Sequence, residues 1–323
     1  MTVADLGEFG LIAALAARLP ATPGVLVGIG DDGAVLAAPD GRVVASTDVL
    51  VEGWHFRRDW SSAREIGGKA AAQNLADIAA MGAVPTALLV GLATPGDLPV
   101  AWAEELAAGL AEECSRVGAA VAGGDISAGP VVMLAVTALG DLAGQPPVTR
   151  SGARPGDVLA VAGTPGHSAA GLALLRAGRA GPASLLAAHR WPHPDYPAGP
   201  EAARLGATAM IDVSDGLVQD VGHLAGQSGV RIDVESALLP SDDALREAAS
   251  ALGNRDSLDW ILTGGEDHAL AATFPPGAAL SGRWAVVGQV RAGGGVWVDS
   301  RRVERLSGWT HFRGANPLTE RVR

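Results

Sequence analysis

The chain has 323 residues, 48% of them hydrophobic and 18% charged, which supplies enough apolar material for two packed domains and argues against a disordered protein. Its formal net charge of −11 argues against a nucleic-acid partner, because affinity for a phosphate backbone comes from clustered Lys and Arg. No apolar run approaches the roughly 18 residues that a membrane-spanning helix needs, so we expect no membrane partner.

The amino terminus and the cysteine content indicate the compartment. Residues 1–10 contain no basic side chain, whereas a signal peptide carries positive charge at its start. Cys114 is the only cysteine, so no internal disulfide can form and a reducing environment suits the chain. We therefore expect a cytoplasmic protein.

Hydrophobic patterning predicts an α/β unit in the first half of the chain. Ser62 and Glu65 have the spacing of a capping box, which starts a helix that Gly82 ends. In chain order we predict helix 11–19, strands 25–29 and 43–47, helix 62–81, strand 86–92, helix 100–117 and strands 119–122 and 131–139.

A segment with three prolines, residues 144–156, predicts a domain boundary. Beyond it we predict strand 158–162, helix 167–177, strand 209–213, helix 216–227 and strands 230–234, 269–274, 284–290 and 296–298. The chain is therefore expected to be a mixed α/β (α+β) protein with two domains, residues 1–143 and 150–323.

The segment GIGDDG at residues 28–33 matches the GxGxxG pattern of dinucleotide-binding folds, but we reject that interpretation. Asp31 and Asp32 would place two negative charges where a pyrophosphate rests against backbone amides. A predicted turn at residues 39–41 also leaves no room for the helix that must follow. The sequence thus argues against a nicotinamide oxidoreductase.

Oxygen-bearing side chains cluster at the predicted strand ends. They are Asp31, Asp32, Ser46, Thr47, Asp48, Asp125, Asp212, Ser214 and Asp215. Magnesium is held by one or two carboxylates together with phosphate oxygens and water, so several such strand ends suit a metal ion that bridges a phosphate. A Ser-Asp helix cap is the alternative at residues 214–215.

The predicted helix 62–81 carries a second polar pattern. Lys69, the only lysine of the chain, Gln73 and Asp77 are spaced i, i+4, i+8 and share one face of an otherwise apolar helix. Charged groups on so apolar a helix need partners. The alternative, which the sequence leaves open, is a solvated stripe on a surface helix.

Common phosphate-binding and hydrolase motifs are missing. The chain has no GxxxxGK[ST] loop and no HRD or DFG element of a protein kinase, and CxxC, HExxH and GxSxG are also absent. Any nucleotide must therefore be bound by another scaffold.

Ordered motifs from one end of the chain to the other resemble the thiamine-monophosphate kinase family. That family belongs to a superfamily with aminoimidazole ribonucleotide synthetase, selenophosphate synthetase and a hydrogenase-maturation protein. The motifs are GEFGLI at Gly7, GIGDD at Gly28, STDVLVEGWHF at Ser46, NLADIAAMGA at Asn74, GGD at Gly123, TRSGARPGD at Thr149, GTPGHSAAGLALL at Gly163, IDVSDGL at Ile211 and GGEDHAL at Gly264.

The resemblance implies a two-domain fold like that of aminoimidazole ribonucleotide synthetase, in which the sheets of two amino-terminal domains pair in a homodimer. It implies ATP-dependent phosphorylation of thiamine monophosphate to thiamine diphosphate with several Mg²⁺ ions. The amino-terminal domain would bind ATP and magnesium, and the carboxy-terminal domain would complete the nucleotide and substrate site.

The resemblance also implies roles for particular residues. The implied metal ligands are Asp32, Ser46, Thr47, Asp48, Asp77, Asp125, Asp212 and Asp215. The implied nucleotide contacts are Gly124, Asp125, Arg150 and Ser214, and the implied substrate contacts are His55, Glu266 and Trp309. Asp48, Asp125 and Arg150 are the expected catalytic residues.

Two positions depart from the family pattern. His268 stands where a tyrosine is common after GGED, and Trp309 stands where Tyr or Phe also occurs. One alternative function is another ATP-using enzyme of the superfamily with a different acceptor, and another is a nucleotide-binding regulator without catalysis.

Overall fold

The computed structural model describes residues 1–29, 33–253, 256–304 and 308, which form two compact units. The first unit contains Met1–Ile78 and Ala83–Ala143. The second contains Ala79–Gly82 and the described residues from Gly144 onward. In the described ranges, no helix is both long and apolar enough to cross a membrane.

The first unit combines a four-stranded sheet with helices. Its elements are α1 (Val3–Ala16), β1 (Val25–Val27), β2 (Val35–Leu36), β3 (Val44–Val51), α2 (Ala63–Ala80), β4 (Val84–Thr94), α3 (Val100–Ser115), β5 (Ala120–Ala128) and β6 (Met133–Asp141), the last two residues of α2 being grouped with the second unit. The four-stranded sheet has the order β3-β6-β4-β5, in which only β4 and β5 are parallel. Strands β3 and β5 are therefore its two edges.

Helix α2 begins and packs as its sequence dictates. The backbone N–H of Ser62 donates to Glu65 Oε2 at 2.7 Å and the N–H of Glu65 donates to Ser62 Oγ at 3.3 Å, which confirms the predicted capping box. Gly67 and Gly109 let α2 and α3 touch, because a Cβ at either glycine would lie 2.0 Å from a backbone oxygen of the other helix. The close approach buries the apolar residues of both helices.

The two faces of the four-stranded sheet differ in burial. On β6, Leu134 and Val136 are fully buried, whereas Met133 of the same strand is 37% exposed. Val49 on β3 is 46% exposed. Because side chains alternate along a strand, one face carries the core and the other presents apolar side chains to solvent.

The second unit is built on a larger sheet with helices. Its elements are β7 (Val158–Ala162), α4 (His167–Arg176), α5 (Ala183–Arg190), α6 (Ala198–Arg204), β8 (Ala209–Val213), α7 (Leu217–Ser228), β9 (Arg231–Val234), a 3₁₀ turn (Ser236–Leu238), α8 (Asp243–Ala251), α9 (Ser257–Thr263), β10 (Ala269–Phe274), β11 (Ala285–Arg291), β12 (Gly295–Val298) and β13 (Arg301–Arg302). The strand order is β13-β12-β9-β11-β7-β10-β8, and only the β12–β9 pair is parallel.

Both faces of this sheet are covered. Leu159 and Val161 of β7 belong to one core together with Leu217 of α7. Ala160 of the same strand belongs to a second core with Ala198 of α6. A strand whose consecutive residues enter two different cores reads as a continuous apolar run, which explains why its position was predicted from the sequence.

The mixed α/β class is confirmed, but several predicted boundaries were wrong. Strands β3 and β5 continue to Val51 and Ala128, so the Ser46-Thr47-Asp48 and Gly123-Gly124-Asp125 segments lie inside strands and not at their ends. Helices α5, α6, α8 and α9 were not predicted. Each has only 7 to 9 residues, which is too short for helical periodicity to stand out from its flanking turns.

Candidate functional site

The polar face of α2 holds strand β3. Ser46 Oγ donates to Asp77 Oδ2 at 2.6 Å, and Gln73 Nε2 donates to Asp48 Oδ2 at 3.0 Å. The backbone N–H of Asp48 donates to Asn74 Oδ1 at 3.1 Å. The stripe on α2 therefore faces β3, and the alternative of a solvated stripe was wrong. These contacts place two partly exposed carboxylates and a hydroxyl between α2 and β3.

Lys69, on the same face of α2, supports the turn that follows β3. Its side chain is 1% exposed, and Nζ donates to the backbone carbonyl of His55 at 3.2 Å. The N–H of Val51 donates to His55 Nδ1 at 3.0 Å. A backbone N–H can only donate, so Nδ1 carries no proton and the neutral ring of His55 has its proton on Nε2. Nε2 of His55 can then act as a hydrogen-bond donor.

Thr47 does not join the group that contains Asp48. Its Oγ1 donates to the carbonyl of Val136 at 3.0 Å and accepts from Thr137 Oγ1 at 3.1 Å. Neighbouring residues of a strand point to opposite faces of the sheet, so the Thr47 side chain lies on the face away from α2. The Thr47 hydroxyl is therefore not part of the group that contains Asp48.

Asp125 is also separated from Asp48. In the register of the sheet, Asp48 lies opposite Val136, Val136 opposite Val90, and Val90 opposite Gly124. Three strand spacings of about 4.8 Å thus separate the two edges.

The side chain of Asp125 points away from α1 and α3. Its neighbour Ile126 packs against the cluster that contains Leu11 and Val100 of these helices, so the exposed side chain of Asp125 lies on the opposite face. Gly124 is required for packing, because a Cβ there would lie 1.9 Å from the carbonyl oxygen of Val90.

In the second unit, the end of β8 and the start of α7 carry three aspartates. Asp212 is 4% exposed, and its Oδ2 lies 3.2 Å from His268 Nδ1. Gln219 Nε2 donates to Asp215 Oδ2 at 3.1 Å. Asp220, which is 3% exposed, accepts from the N–H groups of Asp215 and Gly216, both at 3.0 Å. Burial, assisted by the charge of Asp212, raises the pKa of Asp220 to about 7.

The loop at residues 264–268 docks onto the end of β8. The N–H of Glu266 donates to the carbonyl of Ser214 at 2.8 Å, and the N–H of His268 donates to that of Val213 at 3.0 Å. Gly265 is required because a Cβ would lie 2.2 Å from the Ser214 oxygen. The loop thereby brings Glu266 next to Ser214, two residues that the sequence separates widely.

Asp267 ties the same loop to helix α4. Its carboxylate accepts from the N–H groups of Gly166 at 2.6 Å and Ser168 at 2.7 Å, at the start of the helix. Burial raises the pKa of Asp267 to about 7. The carboxylate therefore holds the loop in place and is not directed toward solvent.

Of three further predicted residues, one lies in the part of the chain that the structure describes. Arg150 is exposed, and its carbonyl accepts from Ser228 Oγ at 3.3 Å. Asp32 and Trp309 lie outside the described residues, as does Asp31. Gly308, which precedes Trp309, is described, and a Cβ on it would lie 2.6 Å from the carbonyl oxygen of Asp215.

Asn74, Asp220 and Asp267 contribute to these arrangements, as does His189, whose Nδ1 lies 3.4 Å from Glu266 Oε2. None of the four was assigned a role from the sequence. A weak signal existed for Asp220, which lies one helical turn beyond Gly216, where a carboxylate reaches back to cap the helix start. Nothing in the sequence indicated that His189 lies beside Glu266, because α5 itself was not predicted.

Comparisons with known proteins agree with these features. A family model described as AIR synthase related protein, N-terminal domain, matches residues 30–142. A thiamine-monophosphate kinase of Mycobacterium tuberculosis is 50% identical over 96% of this chain and 93% of its own length.

Two solved structures are similar to this chain over nearly its whole length. Thiamine monophosphate kinase from Aquifex aeolicus has a TM-score of 0.78 at 33% identity and covers 94% of this chain and 100% of its own. A structure described as AaThiL complexed with AMPPCP and TMP has a TM-score of 0.79 at 34% identity, covering 97% of this chain and 99% of its own. The near-complete coverage and 50% identity establish that the chain belongs to the thiamine-monophosphate kinase family.

Proposed function

We propose that this chain transfers the terminal phosphoryl group of ATP to the phosphate of thiamine monophosphate, which yields thiamine diphosphate and ADP. Family membership over 96% of the chain supports this activity, as does the solved relative complexed with AMPPCP and TMP. The observation that carries the proposal is the group of Ser46, Asp48 and Asp77 that α2 gathers on β3. It supplies oxygen ligands in a chain that has no P-loop.

The donor set of this group fits Mg²⁺. Carboxylate and hydroxyl oxygens are the ligands that this ion prefers, and it takes only one or two carboxylates, with water and substrate phosphates completing its shell. Among the described side chains, no three His, Cys, Asp or Glu could hold a metal ion by themselves, so an ion at this group would also need oxygens from the nucleotide or from water. When bound, Mg²⁺ would reduce the repulsion between two polyanionic substrates.

The remaining metal ligands are proposed from the family resemblance alone. They are Asp32, Thr47, Asp125, Asp212 and Asp215. Asp212 and Asp215 are part of one β8–α7 junction, where His268 and Gln219 respectively contact their carboxylates. Such contacts fix the orientation of a ligand before it binds an ion.

The protein has no need of a general base for this reaction. A phosphate monoester has a second pKa near 6, so at neutral pH the acceptor oxygen is largely deprotonated. The task left to the side chains is to hold the two substrates in line for transfer. Asp48 and Asp125 are proposed to serve that task, and Arg150 to add a fixed positive charge.

Nucleotide and substrate contacts are proposed from the family resemblance. Gly124 and Ser214, with Asp125 and Arg150, would contact ATP. His55 would donate from Nε2 to a phosphate oxygen, consistent with the tautomer that Val51 imposes. Glu266 would place a negative charge near the cationic thiazolium of thiamine monophosphate, and Trp309 would cover that ring, a contact worth about 0.5 to 2 kcal/mol.

A homodimer and a cytoplasmic location complete the proposal. The open face of the four-stranded sheet presents exposed apolar side chains, among them Val49 and Met133. Exposed apolar side chains on a sheet face favour association, and a second copy of the same sheet would bury them. Size-exclusion chromatography with light scattering measures the mass, and a monomer at micromolar concentration would contradict the pairing.

The activity is tested by incubating the purified chain with ATP, MgCl₂ and thiamine monophosphate and measuring thiamine diphosphate by chromatography. We expect product in the complete mixture and none when EDTA exceeds magnesium. ADP release without thiamine diphosphate, or only with another acceptor from a panel of phosphate, amide and selenide compounds, would indicate a different enzyme of the superfamily. MgATP binding with no acceptor-dependent ADP release would indicate a regulator.

A further inference from the structure

His189 lies directly behind the carboxylate of Glu266. It is 3% exposed and belongs to helix α5. Its Nδ1 lies 3.4 Å from Glu266 Oε2 and 3.2 Å from Ser168 Oγ. A buried imidazole is stable where its nitrogens have polar neighbours, and here one neighbour is a side chain with a proposed role in substrate binding.

The two contacts indicate which ring nitrogen carries the proton. An ionised carboxylate only accepts hydrogen bonds, whereas a serine hydroxyl can both accept and donate. A proton on Nδ1 suits both neighbours, because Glu266 and Ser168 can each accept from it. Without that proton the nitrogen lone pair would face the carboxylate. With its proton on Nδ1, His189 presents an N–H group toward Glu266.

The backbone around Glu266 is fixed by other groups. Glu266 and His268 have left-handed φ values of +64° and +52°, which non-glycine residues adopt only where their surroundings hold them. Asp267 between them is bound to the start of α4, and the N–H groups on either side are bound to the end of β8. The freedom left to Glu266 is in its side chain, which is 32% exposed and is contacted by His189.

We propose that His189 is a positioning residue that orients the Glu266 carboxylate toward thiamine monophosphate. The inference rests on the proposed function, in which Glu266 contacts that substrate. Ser168 holds the imidazole in turn, so α4 and α5 together support the loop at residues 264–268. A carboxylate that is oriented before binding loses less freedom when the substrate arrives, which lowers the KM.

A matched pair of substitutions separates orientation from packing. In His189→Asn the amide nitrogen can lie close to the place of Nδ1, whereas in His189→Gln it extends toward the place of Nε2. We expect His189→Ala to raise the KM for thiamine monophosphate about tenfold, the loss typical of a hydrogen bond to a charged group, with the KM for ATP and kcat nearly unchanged. His189→Asn should recover most of the loss and His189→Gln less.

A double-mutant cycle tests whether His189 acts through Glu266. In a Glu266→Ala background, His189→Ala should change the KM for thiamine monophosphate no further, because the group that it orients is gone. Thermal unfolding of each variant is measured alongside. Equal KM increases in the Ala, Asn and Gln variants that follow their melting temperatures would show a packing role and overturn the inference, as would additive effects in the cycle.

Two further outcomes distinguish a failure of the role proposed for His189 from a failure of the proposed kinase activity. A Glu266→Ala enzyme with an unchanged KM would exclude Glu266 from the substrate site and overturn the role of His189 while the kinase activity stands. A wild-type chain that forms no thiamine diphosphate would overturn the proposed function and the inference together.

Discussion

The two units of the molecule hold their carboxylates in different ways. In the first unit, Asp48 and Asp77 are partly exposed and contact the side chains of Gln73 and Ser46. In the second unit, Asp220 and Asp267 are buried, and each accepts from two backbone N–H groups.

The difference separates two tasks that one residue type can perform. A partly exposed carboxylate with side-chain partners can exchange a partner for a cation. A buried carboxylate bonded to backbone amides instead fixes a turn, because losing it leaves those amides unsatisfied. We therefore expect substitutions of the partly exposed carboxylates to change activity and substitutions of the buried carboxylates to change stability.

The largest effect is expected from Asp48→Asn. The amide oxygen can still accept from Gln73, so the fold should be kept, but the negative charge that attracts a cation is lost. We expect kcat/KM for thiamine diphosphate formation to fall about 100-fold or more, the range seen when an electrostatic group is removed from an active site. Initial rates at saturating MgATP measure this.

Glu112→Gln is the control for that substitution. Glu112 lies on α3 and pairs with Arg64 at the surface, where both side chains are about half exposed. This variant should retain wild-type rates, because an exposed ion pair contributes little. Equal activity of Asp48→Asn and Glu112→Gln would show that Asp48 has no role in catalysis.

Asp220→Ala is expected to act mainly on stability. Removing the carboxylate leaves the buried N–H groups of Asp215 and Gly216 without their acceptor, which costs about 2 kcal/mol of unfolding free energy. Urea denaturation monitored by tryptophan fluorescence measures the change. Asp243→Ala, in which the substituted side chain is 99% exposed, is the matched control. Equal midpoints in the two variants would contradict the assigned role of Asp220.

A smaller effect is expected in the pH dependence of stability. Burial raises the pKa of Asp267 from 3.8 to about 7, so the folded protein binds this proton more tightly than the unfolded chain does. The stabilisation that this group gives is complete below pH 4 or so and is lost as the pH rises to about 7. Between these values the unfolding free energy of the wild type should decline more steeply than that of Asp267→Asn.

Denaturant titrations at about pH 5 and about pH 7, both with EDTA, measure the unfolding free energy of the wild type and of Asp267→Asn. We expect the decline between the two pH values to be larger in the wild type by on the order of 1 kcal/mol. Each unit of pKa shift corresponds to about 1.4 kcal/mol, and the backbone N–H groups reduce the effect because they favour the charged form. Parallel pH profiles for the wild type and Asp267→Asn would show that Asp267 ionises normally.

The smallest effect is expected at Cys114. Burial raises the pKa of this thiol to about 12, so almost no thiolate is present at pH 8. A disulfide reagent such as DTNB should react with it only after urea unfolding, and prior incubation of the native protein should leave kinase activity unchanged. Rapid reaction of the native chain would show that α3 opens locally.

Much of the first unit could be predicted because its signals are local. Lys69, Gln73 and Asp77 share a face of α2 by helical spacing alone, and the capping box at Ser62 and Glu65 spans four consecutive residues. The order of motifs along the chain likewise indicated the family before any fold was known.

The placement of Asp125 could not be predicted in this way. The sequence indicated a strand that ends at the two glycines before it, whereas in the fold β5 continues through Gly124, where β4 passes too close for a Cβ. Which edge and face of the sheet a residue occupies depends on the pairing of four segments, and no single segment encodes it.

The sequence by itself determined the mixed α/β class, the helix that gathers Asp48 and Asp77, and the resemblance to a kinase family. Only the tertiary structure decided that Asp125 lies on the far edge of the sheet, that Asp267 is buried at the start of α4, and that His189 faces Glu266. The physical reason is range: periodicity and caps act within a few residues, whereas burial and partners arise when distant segments pack together.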